Sequence, residues 1–177
     1  PDKQLSMINI AYANCDRLVL LINDILDMEK IEAGKMDFHM EPMEVVSLVE
    51  DAIEANQGYG EEHGVTFVKA VMDEKILANG DRNRLMQVLS NLMSNAAKFS
   101  PDGEQVELSV TQDSSTFRIN VKDNGPGIPE ECRGAIFEKF TQVDSSDTRV
   151  KGGTGLGLSI AKAIVEQHGG AIDYYSE

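Results

Sequence analysis

A glycine-rich stretch near the end of the chain has residue types and a spacing that suit phosphate chemistry. Residues 151–159 read KGGTGLGLS, and the apolar-periodic run that follows predicts a helix. Glycines let a ligand approach successive backbone N–H groups, and a helix N-terminus adds unpaired donors and a positive dipole end. The stretch therefore predicts an anion site, most often one for phosphate, although a merely tight turn is the alternative.

Two familiar phosphate-binding templates do not fit this spacing. A Walker A loop needs a lysine directly after its last glycine, where this sequence has Leu158. The dinucleotide pattern needs a glycine at position 158 or 160, and Leu158 and Ile160 stand there. The polar residues 144–149 before the loop are also unlike the strand that a dinucleotide fold requires. The kind of nucleotide must therefore come from other motifs.

A predicted helix that opens at Asp81, its expected N-cap, carries a second candidate site on its polar face. Asn91 and Asn95 lie one turn apart, and Lys98 follows one turn later. Amide oxygens suit a magnesium ion that keeps several waters, and a lysine suits phosphate oxygens. A simply solvated face is the alternative. The predicted buried stripe of the helix is Leu85, Val88, Leu89, Leu92, Met93 and Ala96.

A third candidate lies where a predicted strand ends. Two alternating strands, at about 105–110 and 117–122 and joined through 113–115, lead into DNGPGIP at 123–129. A carboxylate at Asp123 can accept a hydrogen bond from the exocyclic amino group of a base, and Gly125 and Gly127 let a flat base approach the backbone. A tight turn that begins at Asp123 explains the same residues without a ligand.

Composition restricts the partners. The formal charge of −14, from 30 acidic and 16 basic residues, argues against nucleic acid or an anionic membrane surface. A phosphate ligand then needs a divalent cation, by default magnesium. Cys15 and Cys132 form no metal-binding pattern and are predicted to be free thiols in a reducing cytoplasm. The longest apolar run, 18–22, is far shorter than the roughly 20 residues that span a bilayer, so any membrane anchor of a parent protein lies elsewhere.

The first 31 residues predict a long helix that needs a partner. A heptad seam cannot be buried by one helix, so it predicts a hairpin mate or a symmetry mate, with packing on the following domain as the alternative. Ala33-Gly34-Lys35 ends the helix. The seam residues are Ile8, Ala11, Cys15, Leu18, Ile22 and Ile25.

The remaining segments complete an α+β pattern. They are a linker or short strand at 36–42, a helix from Met43 to about Glu62, a hairpin or meander from Val65 through Met72 to Ile76, a short helix from Glu130 to about Ile136, about a dozen residues without periodicity before the glycine loop, and a strand beginning at Ala171 to Tyr175. Because no hairpin mate follows that last strand, we expect the chain to stop short of a final hairpin.

Four motifs together resemble the catalytic, ATP-binding region of the sensor histidine kinases of two-component signalling, in the GHKL (Bergerat) superfamily. They are an asparagine box at 91–99, a first glycine box at 123–127, a phenylalanine box at 137–140 and a second glycine box at 153–158. Residues 18–27 resemble the second helix of the family's dimerisation and phosphoacceptor domain. The resemblance implies part of that domain at 1–35 and a catalytic domain at 36–177. The implied fold is a two-layer α/β sandwich, a mixed sheet with helices on one face, after a long N-terminal helix.

The resemblance also implies roles for residues of the motifs. Asn95 would coordinate Mg²⁺, Asp123 would hold the adenine amino group, and 154–157 would cradle phosphates under a lid from about Phe137 to Gly153. The residues implied in catalysis are Asn91, Lys98 and Arg149, the last as a cation near the γ-phosphate. The residues implied to hold ATP and its ion are Asn95, Phe99, Asp123, Gly125, Gly127, Ile128, Phe137, Phe140, Gly153, Thr154, Gly155, Leu156 and Gly157.

The sequence departs from the family at the phosphorylated histidine, because it has no Ser/Thr-His-Glu-type box. His39 lies in a predicted linker, and His63 and His168 precede glycines at helix ends, where capping explains them. We therefore expect Mg·ATP binding and γ-phosphoryl transfer to a histidine outside this sequence, on a helical bundle of the same or a sister chain. The implied partners are a second copy of the chain, through the N-terminal helix, and a response-regulator receiver domain.

Two other functions are kept as alternatives. One is a nucleotide-sensing or scaffolding module that performs no transfer. The other is ATP hydrolysis, as in gyrase-type topoisomerases, mismatch-repair ATPases and heat-shock chaperones of the superfamily. Those proteins carry a glutamate at the position of Asn91, and an amide cannot act as the general base that activates water.

Overall fold

The computed structural model describes residues 2–72, 75–113, 116–141 and 153–176. The helices are α1 (Asp2–Glu32), α2 (Val45–Glu62), α3 (Arg82–Phe99) and α4 (Gly157–Gln167). The strands are β1 (Glu41–Glu44), β2 (Thr66–Met72), β3 (Leu77–Gly80), β4 (Gln105–Asp113) and β5 (Thr116–Lys122), and a single 3₁₀ turn spans Glu130–Cys132.

The main sheet is mixed, in the order β2-β4-β5. Strand β2 runs parallel to β4, with Phe67 opposite Val106, and β5 runs antiparallel to β4, with Val121 opposite Leu108. Strands β1 and β3 form a separate antiparallel pair in which Met43 lies opposite Ala78. The parallel pairing is possible because α3 lies between β2 and β4 in the chain and supplies the crossover.

The principal core lies between one face of this sheet and helices α2 and α3. Strand β4 shows why only one face is covered, since buried and partly exposed side chains alternate along it from Val106 to Val110. The α+β sandwich with a mixed sheet is thus confirmed. The largest fully buried side chains of this core are Leu48, Ile76, Met93, Leu108, Val45, Val49, Val106 and Val110.

Helix α3 is covered on two sides, which fixes it as the central element of the domain. Leu89, Met93 and Ala96 face the sheet core, whereas Val88 and Leu92 face a second cluster built around α4. The predicted apolar stripe of α3 is therefore confirmed, but its residues are divided between two hydrophobic clusters. The second cluster consists of Met28, Val88, Leu156, Ile160, Ala161 and Ile164, with Ile31, Met36, Phe38, Leu92, Val165 and Ile172 packed against it.

Two predictions for the first half of the chain are wrong. Met43 does not begin α2, because it pairs with Ala78 in strand β1 and the Glu44 side chain caps the helix by accepting from the Val46 N–H at 3.0 Å. The segment from Val65 to Ile76 is not a hairpin or meander. In this segment, β2 pairs with β4, and the next strand, β3, pairs with β1. Contacts between residues distant in sequence determine both pairings.

Two predictions for the second half are also wrong. Beyond Cys132 the hydrogen bonds run from residue i to residue i−3, from Ala135 N to Cys132 O at 3.0 Å and from Glu138 N to Ala135 O at 2.8 Å. The predicted helix from Glu130 to Ile136 is therefore one 3₁₀ turn followed by further turns. Residues 171–176 belong to no strand, since among the described residues no strand pairs with them.

The N-terminal helix uses two different faces. Met28 is buried and Ile31 packs against the second cluster, so the C-terminal half of α1 lies on the domain. The seam on the other side stays exposed, with Leu18 at 57%, Ile22 at 48% and Ile25 at 42% exposure. Among the described residues, no helix is both long enough and apolar enough to cross a membrane.

Candidate functional site

The site is built on α3, whose start is fixed by Asp81 as predicted. The Asp81 carboxylate accepts from the Arg84 N–H at 3.0 Å as N-cap and from the His39 N–H at 2.8 Å. Burial alone would raise the pKa of this carboxyl. The backbone hydrogen bonds from His39, Arg84 and Asn83, together with the Arg84 charge, outweigh burial and lower the pKa below its ordinary value.

The end of α4 is tied to the same point by His168. Its Nε2 accepts from the Asp81 N–H at 2.9 Å, so the ring proton sits on Nδ1, which donates to the Ile164 carbonyl at 2.8 Å. The ring also makes an edge contact with Phe38, at 5.5 Å between centroids. His168 therefore joins the C-terminus of α4 to the N-terminus of α3, in agreement with the predicted structural role.

Two residues of the asparagine box reach the second glycine box. The Asn91 side-chain amide donates to the Gly157 carbonyl at 3.0 Å. About two turns further along α3, Lys98 lies close to Gly153. A Cβ built on this glycine would be 2.9 Å from the Lys98 Nζ. The C-terminal half of α3 thus meets the glycine loop near both the first and the last residue of the loop, at Gly153 and at Gly157.

The glycine loop also pairs with the phenylalanine box. The Phe140 N–H donates to the Gly155 carbonyl at 2.9 Å, and a Cβ on Gly155 would come within 2.9 Å of the Phe140 Cα. Gly155 adopts a φ of +71°, which favours glycine. The Phe140 side chain is 69% exposed, so its contact with the loop is made by its backbone.

Inside the loop, two residues have contrasting surroundings. Leu156 is 1% exposed and packs in the second cluster, which anchors the start of α4. The Thr154 hydroxyl accepts from the Leu156 N–H at 3.1 Å and donates to the Asp24 carboxylate of α1 at 2.8 Å. The loop is therefore attached to the core through Leu156 and to α1 through Thr154.

The first glycine box lies at the C-terminal end of α3. A Cβ on Gly125 would be 3.1 Å from the Phe99 carbonyl oxygen, so the two backbones are in close approach. One Asp123 oxygen, Oδ1, accepts from the Gly125 N–H at 2.8 Å, and this hydrogen bond orients the carboxylate. The side chain of Asp123 is exposed, and Gly127 takes a φ of +75° in the same turn. The predicted tight turn and a carboxylate available to a ligand are thus both present.

Asn95 is the residue whose surroundings fit a cation ligand. It is half-buried on α3 between Asn91 and Lys98, and among the described residues no hydrogen bond engages its carboxamide. The described residues also contain no group of three or more His, Cys, Asp or Glu that could hold a metal. A magnesium ion would therefore depend on the Asn95 oxygen together with waters and ligand phosphates, a set of ligands that Mg²⁺ accepts.

The structure brings most of the predicted site residues into one region, but two described ones, Ile128 and Phe137, meet another segment. Ile128 donates its N–H to the Ser176 hydroxyl at 2.8 Å, and Phe137 contacts Tyr174 at 6.3 Å between ring centroids, so both meet the C-terminal segment. Arg149 and most of the lid predicted between Phe137 and Gly153 lie outside the described residues.

Sequence reasoning missed the contribution of α1 to this region. Asp24 holds Thr154, Glu32 forms an ion pair with Lys139 of the phenylalanine box, and Asp27 accepts from Gln87 at 2.7 Å and pairs with Arg84. These residues are polar positions on the predicted amphipathic helix. Asp24 and Asp27 lie three residues apart and so share a face of the helix, but nothing local shows that this face meets a loop 130 residues later.

Comparison with known proteins agrees with this fold and site. Residues 80–177 match the family described as histidine kinase-, DNA gyrase B- and HSP90-like ATPase. The chain therefore belongs to that family, and the fold around α3 is that of its GHKL ATP-binding domain. The predicted recognition from the four motifs is confirmed.

The curated proteins that are similar to the chain include bacterial sensor proteins. The chain is 37% identical over 159 residues to the sensor histidine kinase WalK of Bacillus subtilis (strain 168), covering 89% of this chain and 26% of that protein. It is 37% identical over 175 residues to the sensor protein GacS of Pseudomonas syringae pv. syringae, covering 96% of this chain and 19% of that protein. The chain thus spans about a quarter or less of the length of these two relatives.

Solved structures show the same architecture. Full-length ShkA in complex with AMPPNP superposes with a TM-score of 0.77 at 29% identity, over 93% of this chain and 34% of that one. The mycobacterial sensor histidine kinase MprB superposes with a TM-score of 0.63 at 28% identity, over 74% of this chain and 81% of that one. The first match extends over nearly the whole chain.

Proposed function

We propose that this domain binds Mg·ATP and transfers the γ-phosphoryl group to a histidine outside the present sequence, as part of two-component signal transduction. The observation that carries the proposal is the convergence of motifs on α3. Asn91 holds Gly157, Lys98 lies against Gly153, and the Phe99 backbone lies against Gly125. Motifs far apart in sequence thus surround the C-terminal half of one helix, with the first glycine box at Phe99 and the second glycine box along the stretch from Asn91 to Lys98.

The roles within the site follow from the chemistry of each group. The exposed Asp123 carboxylate, oriented by the Gly125 N–H, accepts the adenine amino group. Lys98 supplies positive charge to the phosphates in a domain that is otherwise strongly acidic. Asn95 contributes an amide oxygen to Mg²⁺, which supplies charge neutralisation at the phosphates when bound. Arg149 and the lid remain part of the proposal as a cation and a cover for the γ-phosphate.

Transfer is favoured over hydrolysis by the residue at position 91. An amide stands there, and it donates to the Gly157 carbonyl, so it neither activates water nor is free to do so. The nucleophile must then be supplied by another segment. His168 has both ring nitrogens in hydrogen bonds, so it offers no free nitrogen to a phosphoryl group. His63 lies at the C-terminal end of α2, where its Nδ1 is 3.0 Å from the Tyr59 carbonyl, in keeping with a capping role.

The exposed side of α1 indicates where the acceptor would lie. Leu18, Ile22 and Ile25 face solvent as a heptad stripe while the opposite face of the same helix is packed on the domain. We propose that this stripe belongs to a dimeric helical bundle that carries the phosphoacceptor histidine and meets a response-regulator receiver domain. The domain itself is placed on the cytoplasmic side in this proposal.

The proposal is tested by mixing the chain with a separately produced phosphoacceptor bundle and γ-labelled ATP. Acid-labile label on a histidine of the bundle is expected. Bound ATP without any labelled histidine would refute transfer and leave a nucleotide-sensing or scaffolding module, the second candidate. Steady phosphate release by the chain alone, abolished in a variant that no longer binds ATP, would instead establish hydrolysis.

A further inference from the structure

The hydrogen bond between Asp24 and Thr154 joins α1 directly to the phosphate loop. The two side chains meet at 2.8 Å between Oδ2 and Oγ1, and both are partly buried. The Asp24 side chain thus bonds to the second glycine box itself. Asp27 instead reaches α3, through Gln87 and Arg84.

This contact uses donors that a phosphate group would need. The Thr154 hydroxyl has one proton, and that proton is donated to Asp24. The Leu156 N–H, which points into the same loop, is taken by the Thr154 oxygen at 3.1 Å. Two of the donors that the loop could offer to an oxyanion are therefore satisfied within the protein, the hydroxyl by the docked α1 and the Leu156 N–H inside the loop itself.

The charge of Asp24 acts in the same direction. Its carboxylate is hydrogen-bonded to a loop whose expected ligand is a polyanion, so the two negative groups repel each other at short range. Burial raises the pKa of the Asp24 carboxyl, the Thr154 hydrogen bond lowers it in part, and the neighbouring Asp27 raises it again. Docking of α1 thus holds the Asp24 carboxylate beside the loop, where the carboxylate loses part of its contact with water.

We infer that Asp24 is a positioning residue that competes with the ATP phosphates for the Thr154 hydroxyl, so that docked α1 weakens nucleotide binding. This inference rests on the proposed function. Since coupling between two binding events is reciprocal, ATP in turn weakens the docking of α1. The ion pair of Asp27 and Arg84 does not involve the loop, so this attachment of α1 to α3 remains when the Asp24 contact is lost.

The inference is tested by calorimetric titration of the chain and its Asp24→Ala and Asp24→Asn variants with Mg·ATP and with adenosine. Removing the carboxylate is expected to raise the affinity for ATP about fivefold or more. The affinity for adenosine, which has no phosphate, should change less than about twofold. Glu29→Gln is the matched control, since it removes one charge from the same helix at an exposed position and should change neither affinity.

The outcomes separate the inference from the proposed function. If the unmodified chain binds no ATP, the proposed function fails. If the chain binds ATP but both Asp24 variants bind it equally well or more weakly, the inference is overturned. A parallel gain for adenosine would also overturn it, because a general loosening of the domain does not distinguish phosphates. Hydrogen exchange provides a second measurement: ATP should increase exchange around residues 24–32 in the unmodified chain and not in Asp24→Ala.

Discussion

The side-chain amide of Asn91 donates to the main-chain carbonyl of Gly157 at 3.0 Å. This bond ties the centre of α3, which carries Asn95 and Lys98, to the first residue of α4. This hydrogen bond fixes the position of the end of the glycine loop along the axis of α3. The asparagine predicted to act near the ion is thus, in this structure, also a structural link between two motifs.

Replacing Asn91 by aspartate is expected to weaken Mg·ATP binding roughly 10- to 100-fold. The carboxylate cannot donate to the Gly157 carbonyl, leaves that oxygen without its partner and adds a negative charge beside the phosphate loop. Calorimetric titration measures the affinity. Asn120→Asp is the control, because Asn120 bonds to Ser109 on the exposed side of the sheet and the same chemical change there should leave the affinity unaltered.

Replacing Gly155 by alanine is expected to destabilise the loop by about 1–3 kcal/mol and to lower ATP affinity. Gly155 has a φ of +71°, and a Cβ there would lie 2.9 Å from the Phe140 Cα, a backbone atom that cannot move alone. Gly134→Ala is the matched control, since a Cβ at Gly134 meets no atom within 4 Å. Equal thermal unfolding and equal ATP binding of the two variants would show that the loop geometry is not as described.

The Asp81 cap predicts a pH-dependent contribution to stability. Because the folded-state pKa lies below the ordinary value of 3.8, the contribution is complete above that value and is lost as the pH falls through the folded pKa. At pH 7, Asp81→Ala should lower the free energy of unfolding by about 1–3 kcal/mol. Asp81→Asn, which keeps a capping oxygen, should lose less.

Urea unfolding at several pH values checks this dependence. The difference in stability between the unmodified chain and Asp81→Asn should shrink as the pH falls below 3.8. A difference that stays constant between pH 7 and about pH 3 would mean that the Asp81 charge contributes nothing to the cap.

The burial of Leu156 predicts that the glycine loop depends on the second cluster. Leu156→Ala should cost about 2–5 kcal/mol, because the side chain is 1% exposed and leaves a cavity beside Ile160 and Met28. Leu77→Ala on β3, where the leucine is 75% exposed, should change stability by less than about 0.5 kcal/mol. Denaturant unfolding of both variants gives the comparison, and similar losses would contradict the packing described.

Features with a local cause were predictable from the sequence. The helix α3, its cap at Asp81 and its apolar stripe follow from the 3.6-residue period and from capping chemistry, and β4 and β5 follow from alternation. Gly34, with a φ of +61°, ends α1 where the sequence placed its C-cap. The four motifs also predicted the family, because their residue types and order are specific.

Features that depend on distant contacts were not predictable. Nothing near β2 specifies a parallel partner, since that choice is made by the crossover through α3 and by burial of Phe67 against the helices. Likewise, Asn91 and Asp24 reach partners 66 and 130 residues away. Periodicity places each side chain on a face of its helix, but only the packed fold determines what that face meets.

The measurement that bears most directly on the central claim is calorimetric titration with ATP in the presence of magnesium and in the presence of a chelator. The unmodified chain should bind one ATP, more tightly with magnesium. In Asn95→Ala the gain from magnesium should be lost, and in Asp123→Asn the preference for ATP over GTP should fall, because GTP presents a carbonyl where ATP presents an amino group. Absence of ATP binding by the folded, unmodified chain would contradict the site on α3 and every role assigned to it.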